Sequence, residues 1–343
     1  MKLILNAVLT GVSLLALSPA YAQTGPANAT PADEADATEA AEIIVTGTSR
    51  SRVALDTPLA VSQLGTEALT RAGASSQADI LNTIPTIKAD GGGGEVAANI
   101  FVKGLPSGGQ YQFTPLMYDG LPVLSSFGLN SSAYDVYARN DLGISRLEFV
   151  RGGVSNLFGP GSVAGLINYI SKTGGDTFEG TAQLEVAEKG RYRGDLAVSG
   201  PLGNNLYYAL SGFYRTDKGP IRTNLDTKGG QIRGNLTYRF DDGSGKVQVL
   251  GQYIDDQVHF YLPIPLNGST RNRVAGNDGI LVNSVQNNFG SSLSFATPNG
   301  THSPDMENGV KTKGGMIGLI FDKQFADSGW GLGVGALESA HPA

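Results

Sequence analysis

From about Phe178 onward the chain alternates, residue by residue, between two unlike faces. Between Gln231 and Phe240, one face carries Ile232, Gly234, Leu236, Tyr238 and Phe240. The other carries Gln231, Arg233, Asn235, Thr237 and Arg239. Leu206, Tyr208, Leu210 and Tyr214 likewise oppose Tyr207, Ser211 and Arg215, and Val247, Val249 and Tyr253 oppose Lys246, Gln248 and Gln252. Shorter stretches of the same period lie at Thr181–Ala187, Asp195–Ser199 and Ile317–Phe321. Turn residues fall between them at 188–190, 203–205 and 241–243. A period of two belongs to a β-strand whose faces meet different surroundings. Two architectures fit: a soluble sandwich, or a membrane barrel with apolar residues toward lipid and polar ones toward the lumen. Strands of about ten residues, the length that crosses a bilayer when tilted, favour the barrel.

The N-terminus favours it too. Lys2 gives a minimal positive region, Leu3 to Leu17 is mostly apolar, and Ala20-Tyr21-Ala22 is an A-x-A cleavage site before Gln23. Residues 1–22 therefore read as a signal peptide. The apolar run is shorter than the ~20 residues of a spanning helix. No later run of such length exists, so a membrane crossing would have to be made by strands. An exported chain with 0 Cys relies on backbone pairing and packing rather than disulfides. A formal charge of −6 with no basic stripe argues against nucleic acid as a partner.

Residues 23–54 read as a linker whose first part, Gln23 to Ala41, is rich in Ala, Thr, Pro, Asp and Glu and is expected to be disordered. Within it, Glu42-Ile43-Ile44-Val45-Thr46-Gly47 is β-branched and extended by propensity. Such a segment can add a strand to a partner's sheet edge, or be an ordinary first strand. Residues 55–175 read as a compact mixed α/β domain. Helices are expected at Thr66–Ala72 and Ser76–Thr83, and strands at Asn99–Lys103, Leu116–Tyr118 and Ile144–Arg151. Residues 176–343 hold the alternating strands. Leu266 to Asn308, rich in Asn, Ser, Gly and Thr, reads as one long extracellular loop, or two with a short strand between them.

No enzyme site emerges. The histidines are His259, His302 and His341, with no H-E-x-x-H and no G-x-S-x-G. Gly159 to Gly165 has the wrong glycine spacing for a dinucleotide loop. Gly91 to Gly94 is not followed by Gly-Lys-Ser/Thr, and Asp255-Asp256 reads as a charged strand end. The expectation is a non-enzyme without cofactor or bound metal.

An ordered series of motifs resembles one family, the TonB-dependent outer-membrane receptors. Glu42–Gly47 is similar to a TonB box. Ala78-Asp79-Ile80-Leu81-Asn82-Thr83-Ile84-Pro85 resembles the family's helix and proline at the start of the plug domain. Ile100-Phe101-Val102-Lys103-Gly104 resembles its strand ending in Arg-Gly, with Lys for Arg, and Tyr118-Asp119-Gly120-Leu121-Pro122-Val123 its Asp-Gly turn. The most specific stretch runs from Ile144 to Lys172, through Arg146, Arg151-Gly152, Leu157-Phe158-Gly159 and Gly165-Leu166-Ile167-Asn168-Tyr169-Ile170-Ser171, with Gly153 where Pro is common. The resemblance covers residues 42–256 well and the rest loosely.

The resemblance implies a mainly β protein: a small α/β plug followed by the N-terminal strands of a large antiparallel transmembrane β-barrel. It implies a place in the outer membrane of a Gram-negative bacterium, in contact with its lipid. It also implies a TonB-type energy transducer as partner, with Glu42, Ile43, Ile44, Val45 and Thr46 as the contact. The default cargo is a ferric siderophore, with cobalamin, haem or oligosaccharide as alternatives; a passive porin would need neither plug nor TonB box. Lys103, Arg146 and Arg151 stand as structural or gating residues of the plug, the arginines expected to meet barrel carboxylates or, alternatively, to pair within the plug. Tyr111, Phe113, Phe260 and Tyr261 could line a ligand site facing outward, or simply pack. About seven or eight strands follow Phe178, against about 22 in plugged transporters. The barrel is therefore expected to be incomplete in this chain and not competent alone.

Overall fold

The computed structural model describes residues 44–45, 52–53, 60–74, 76–91, 94–107, 109–123, 133–152, 162–219, 226–259, 266–272, 295–298, 300–302, 309–325 and 331–340. All lie in the compact unit spanning residues 42–343. Two short strands, β1 (Ile44–Val45) and β2 (Arg52–Val53), pair antiparallel. The expected signal peptide and the linker up to residue 43 lie outside the described residues.

The plug is built from β3 (Val61–Gly65), α1 (Thr66–Ala72), α2 (Gln77–Leu81), β4 (Ile87–Asp90), β5 (Asn99–Val102), β6 (Leu116–Tyr118), β7 (Leu121–Pro122), β8 (Ile144–Arg151) and β9 (Gly165–Ser171). Five strands form a sheet in the order β3-β8-β9-β6-β7, and β4 and β5 form a separate antiparallel pair. Helix α2 starts at a capping box: Ser76 Oγ accepts from the Asp79 amide and the Asp79 carboxylate accepts from the Ser76 amide. Asn82, at its end, donates to the Ala89 carbonyl and accepts from the Ala89 amide, which ties α2 to β4. The β6–β7 turn places Asp119 at φ 51 and Gly120 at φ 79, the left-handed pair that a two-residue hairpin requires. The apolar faces of α2, β4, β5, β8 and β9 meet in one core that includes Leu81, Ile84, Ile100, Phe149, Ile167 and Tyr169.

The remaining chain forms β10 (Glu179–Ala187), β11 (Arg191–Gly203), β12 (Leu206–Asp217), β13 (Thr227–Arg239), β14 (Gly245–Val258), β15 (Phe295–Thr297), β16 (Gly300–His302), β17 (Val310–Gln324) and β18 (Gly331–Ala340). Seven of these make one open antiparallel sheet, β10-β11-β12-β13-β14-β17-β18. Its strands join neighbours in chain order, as in an up-and-down barrel wall. β15 and β16 pair with each other inside the stretch read as an extracellular loop. Among the described residues no helix is long and apolar enough to cross a membrane.

The faces of this sheet decide between the two architectures left open by alternation. On β13 the polar residues are the covered ones: Gln231 is 4% exposed, Arg233 7%, Asn235 8% and Thr237 1%. The apolar residues are bare, with Ile232 at 51% and Leu236 at 47%. Leu184, Leu196, Leu210, Tyr214, Val249, Tyr253, Ile317 and Leu319 continue the exposed apolar surface on the other strands. A soluble sandwich would bury these residues and wet the polar ones. An apolar band of this extent on one face needs a lipid or protein cover, and the polar face packs against the plug. The fold is therefore the one expected of a plug and the first strands of a membrane barrel.

Candidate functional site: the plug–barrel seam

The polar face of the wall carries an array of arginines, Arg191 and Arg193 on β11, Arg215 on β12 and Arg233 on β13. The plug meets them with Glu95, in the segment leading into β5, and with residues 135–141 before β8. Arg233 Nη2 donates to Asp141 Oδ1 at 2.8 Å. Asp141 also accepts from Gln231 Nε2 at 2.8 Å, Ser211 Oγ at 3.1 Å and the nearby Gly143 amide at 2.7 Å. Arg139 Nε donates to Asp256 Oδ2 at 2.9 Å, and its Nη1 is held by the plug's own carbonyls of Asp135, Val136 and Ala138. Arg215 joins Asp256 Oδ1 at 2.6 Å to Glu95 Oε2 at 3.0 Å. Arg191 reaches Glu95 Oε1 at 3.0 Å, Asp217 at 2.9 Å and Glu185 at 2.6 Å.

The result is a continuous network of alternating sign, Glu185–Arg191–Glu95–Arg215–Asp256–Arg139, in which plug and wall both take part. Each buried charge has an opposite neighbour, which is the condition for tolerating it away from water. Aromatic faces help. Arg233 lies 4.7 Å from the centre of the Tyr118 ring, and Arg193 4.0 Å from that of Phe213. Further along the seam, contacts to backbone carbonyls of residues 137–174 take over. Asn235 Nδ2 donates to Lys172 O, Arg239 Nη2 to Gly174 O and Gln252 Nε2 to Tyr137 O, each at 2.8 Å.

Two plug carboxylates are tuned in opposite directions. Burial alone would raise Asp141, but the charge and hydrogen bonds of Arg233, with those of Gln231 and the Gly143 amide, hold it below the ordinary carboxylate value. Asp135 is dominated by burial and is raised to about 6, although it accepts from the amides of Ala97 and Ala98 at 2.9 Å each.

Two cavities open in the seam, of about 30 Å3 beside Lys172 and Arg233 and about 80 Å3 between α1 and β11. Each has room for only a few water molecules.

The expected site residues fall in several places. Arg146 pairs with Glu148 on its own strand at 2.9 Å, and Arg151 donates to Ser62 Oγ on β3. These two contacts lie within the plug, the second of the two readings left open by the sequence, and it is Arg139 that meets a wall carboxylate. β8 sits inside the plug sheet between β3 and β9, so its residues have strand neighbours within reach. Lys103 is exposed and sits in a left-handed turn at φ 50, its amide bonded to Thr86 O at 3.1 Å. Tyr111 is corrected from an outward ligand contact to a core residue. It is fully buried, edge-on to Tyr134 at 6.0 Å, with its hydroxyl on Asp135. Phe113 is half-buried and packs on the same core. Phe260 and Tyr261 lie outside the described residues. Of Glu42–Thr46, Ile44 and Val45 pair with Val53 and Arg52, and Glu42, Ile43 and Thr46 lie outside the described residues.

Glu95, Arg139 and Asp141 do not stand out in the sequence. The one signal for them is the row of arginines on the polar face of the alternating strands, which demand carboxylates opposite them.

Comparisons with known proteins agree with this architecture. Residues 53–166 match the family model of the TonB-dependent receptor plug domain. An iron-regulated outer membrane virulence protein of Vibrio cholerae is 27% identical over 188 residues, 52% of this chain and 28% of that protein. The ferric-pyoverdine M114 receptor PbuA of a Pseudomonas species is 30% identical over 107 residues, 31% of this chain and 12% of that protein. The match thus spans less than a third of either relative. Among solved structures, the pyoverdine outer membrane receptor FpvA of Pseudomonas aeruginosa, bound to pyoverdine, superposes with a TM-score of 0.58 at 20% identity. That match covers 83% of this chain and 37% of the receptor.

Proposed function

The chain belongs to the TonB-dependent receptors of the Gram-negative outer membrane, and from that premise we propose that it serves the energised uptake of an iron chelate, a ferric siderophore before any other. The seam carries the proposal. The plug is fixed to the polar wall by buried ion pairs, and cavities of about 30 and 80 Å3 are far below the several hundred Å3 of a small-molecule site. Cargo passes only when the plug shifts. Breaking buried pairs costs about 3–5 kcal/mol each, so the shift needs work delivered from outside the barrel.

In this reading Glu42–Thr46 takes the pull from a TonB-type transducer by strand addition. Residues 55–175 form the plug and residues 176–343 contribute one side of the closed wall. Lys103, Arg146 and Arg151 keep the plug sheet and its turns in shape. Iron is favoured over cobalamin or oligosaccharide because the relatives carry iron-regulated and ferric-pyoverdine names. Haem stays the second choice, because a hemin receptor of Yersinia pestis is 28% identical over 177 residues. A passive pore is disfavoured, because it would need neither a plug nor the segment 42–47.

The test is uptake of radiolabelled ferric chelate by iron-starved cells, with the natural gene intact or lacking the codons for 42–47. The proposal expects chelate binding to survive the deletion and accumulation to cease. Accumulation that continues without residues 42–47 contradicts it and favours a passive pore.

A further inference from the structure

Removal of Glu95 from the charged network leaves both of its arginine partners still paired. Arg191 keeps Glu185 and Asp217, and Arg215 keeps Asp256. Glu95 also stands directly after a run of four glycines, Gly91, Gly92, Gly93 and Gly94, and Gly94 stands at φ 126, a conformation closed to residues with side chains. Two residues on, the segment is pinned again by the Ala97 and Ala98 amides on Asp135. The carboxylate thus sits at the end of a glycine lead with a fixed point behind it.

Its position matters. Arg191 opens β11 directly after the turn at Glu188–Gly190, and Arg215 is near the end of β12, so both lie at the end of the wall that also carries the long segment between β14 and β17. Long connections mark the extracellular end of such barrels. The side chain of Arg215 has no exposed surface, whereas Glu95 keeps 15% of its own. Glu95 accepts from Nε and Nη2 of Arg215, and Asp256 from its Nη1.

We propose that Glu95 is a stand-in ligand: it occupies, in the unloaded state, a two-guanidinium site on the wall built by Arg191 and Arg215 that takes a carboxylate or similar oxyanion of the incoming cargo. The charges permit an even exchange. Four carboxylates (Glu95, Glu185, Asp217, Asp256) face three arginines (Arg139, Arg191, Arg215), a net −1. Departure of Glu95 leaves the cluster neutral, and one arriving anionic group restores the balance. Two guanidiniums on adjacent strands present paired donors, the arrangement that recognises a carboxylate bidentately. The freed Glu95 moves into water at the plug's outer end, so occupancy of the wall site changes the plug. The proposal rests on the reading of the chain as an uptake receptor with this end outward.

Metal-free citrate is the probe, titrated calorimetrically into the detergent-solubilised chain. Removing the internal competitor in Glu95→Gln is expected to tighten citrate binding about tenfold, and adding Arg191→Gln to that variant is expected to abolish the gain. Citrate binding to Glu95→Gln that is no tighter than to the parent overturns the proposal, as does a gain that survives Arg191→Gln. If Glu95→Gln does not assemble, the parent chain decides. Saturating citrate is expected to speed hydrogen exchange at the Glu95 and Val96 amides and leave those of Ala97 and Ala98 protected, and unchanged exchange overturns it. Uptake is not read in either arm, so a chain that carries no iron still reveals whether Glu95 yields its place to an anion.

Discussion

Arg233 of the wall and Asp141 of the plug form an ion pair of 2.8 Å in which the carboxylate has no exposed surface and the guanidinium side chain only 7%. Arg233 is anchored by the Tyr118 ring on one side, and Asp141 accepts from three further donors. This pair couples the two layers of the molecule with both side chains buried. Asp141→Asn keeps the shape and removes the charge, leaving Arg233 buried without its counter-ion. The expected cost is about 3–5 kcal/mol, read as a lower urea midpoint for the detergent-solubilised protein. An unchanged midpoint would show that the pair does not hold the plug.

The same pair sets an acid limit. Asp141 titrates below its unfolded value of about 3.9. The folded state therefore binds fewer protons than the unfolded one as pH falls through that value, and stability is lost from about pH 4 downward. Asp141→Asn is expected to remove this acid limb from a plot of urea midpoint against pH.

Asp135 works in the opposite sense. Its folded value of about 6 lies above the unfolded one, so between about pH 4 and 6 the folded state binds more protons and stability falls as pH rises. A shift of this size corresponds to about 3 kcal/mol. Asp135→Asn lowers stability overall by disturbing the Ala97 and Ala98 amides, and it is expected to flatten the midpoint between pH 4 and 6. A slope that persists in the variant would assign it elsewhere.

The faces of the wall were legible in advance because a period of two survives any tertiary context: every residue from Gln231 to Thr237 sits on the face expected for it. The seam was legible only in part. The polar-face arginines were visible, but their plug partners come from Glu95 and from residues 135–141, segments outside the strands and without a period. For Arg146 and Arg151 the sequence left barrel and plug partners both open, because sheet order is invisible in it; between β3 and β9 they find partners in the plug. Tyr111 sat in a turn-rich stretch that reads as surface, yet the chain brings Tyr134 and Asp135 onto it. β18 was missed because Gly331, Gly333 and Gly335 take one of its faces and dilute the alternation.

Gly143 marks a close approach of plug and wall. A Cβ there would stand 1.9 Å from Ser211 Oγ and 2.6 Å from its Cβ. Gly143→Ala is expected to displace the plug locally and to cost about 1–3 kcal/mol, as overpacking does. Ser211→Gly in the same chain is expected to restore most of the urea midpoint. Failure of the second change to rescue would place the strain elsewhere.

Leu121, at the β6–β7 turn, fits between two glycines of the wall. A Cβ on Gly318 or on Gly335 would lie 2.7 Å from a Leu121 methyl. Gly335→Ala is expected to destabilise the docked plug, and Leu121→Ala to cost about 2–5 kcal/mol through the cavity it leaves. Together they should cost less than the sum, because the added methyl enters the vacated space. Strict additivity would mean that the two sites do not touch.

The central claim is that the apolar face of the seven-stranded sheet meets lipid and its polar face meets the plug. The absence of cysteine makes single labels straightforward. Spin labels placed one at a time at Ile232, Gln231, Leu236 and Asn235, in the protein reconstituted in bilayers, would be tested for collision with oxygen, which dissolves in lipid, and with a water-soluble nickel complex. The account predicts high oxygen and low nickel accessibility at 232 and 236, and low accessibility to both reagents at 231 and 235. High nickel accessibility at 232 and 236 would put that face in water and contradict the membrane wall on which the rest depends.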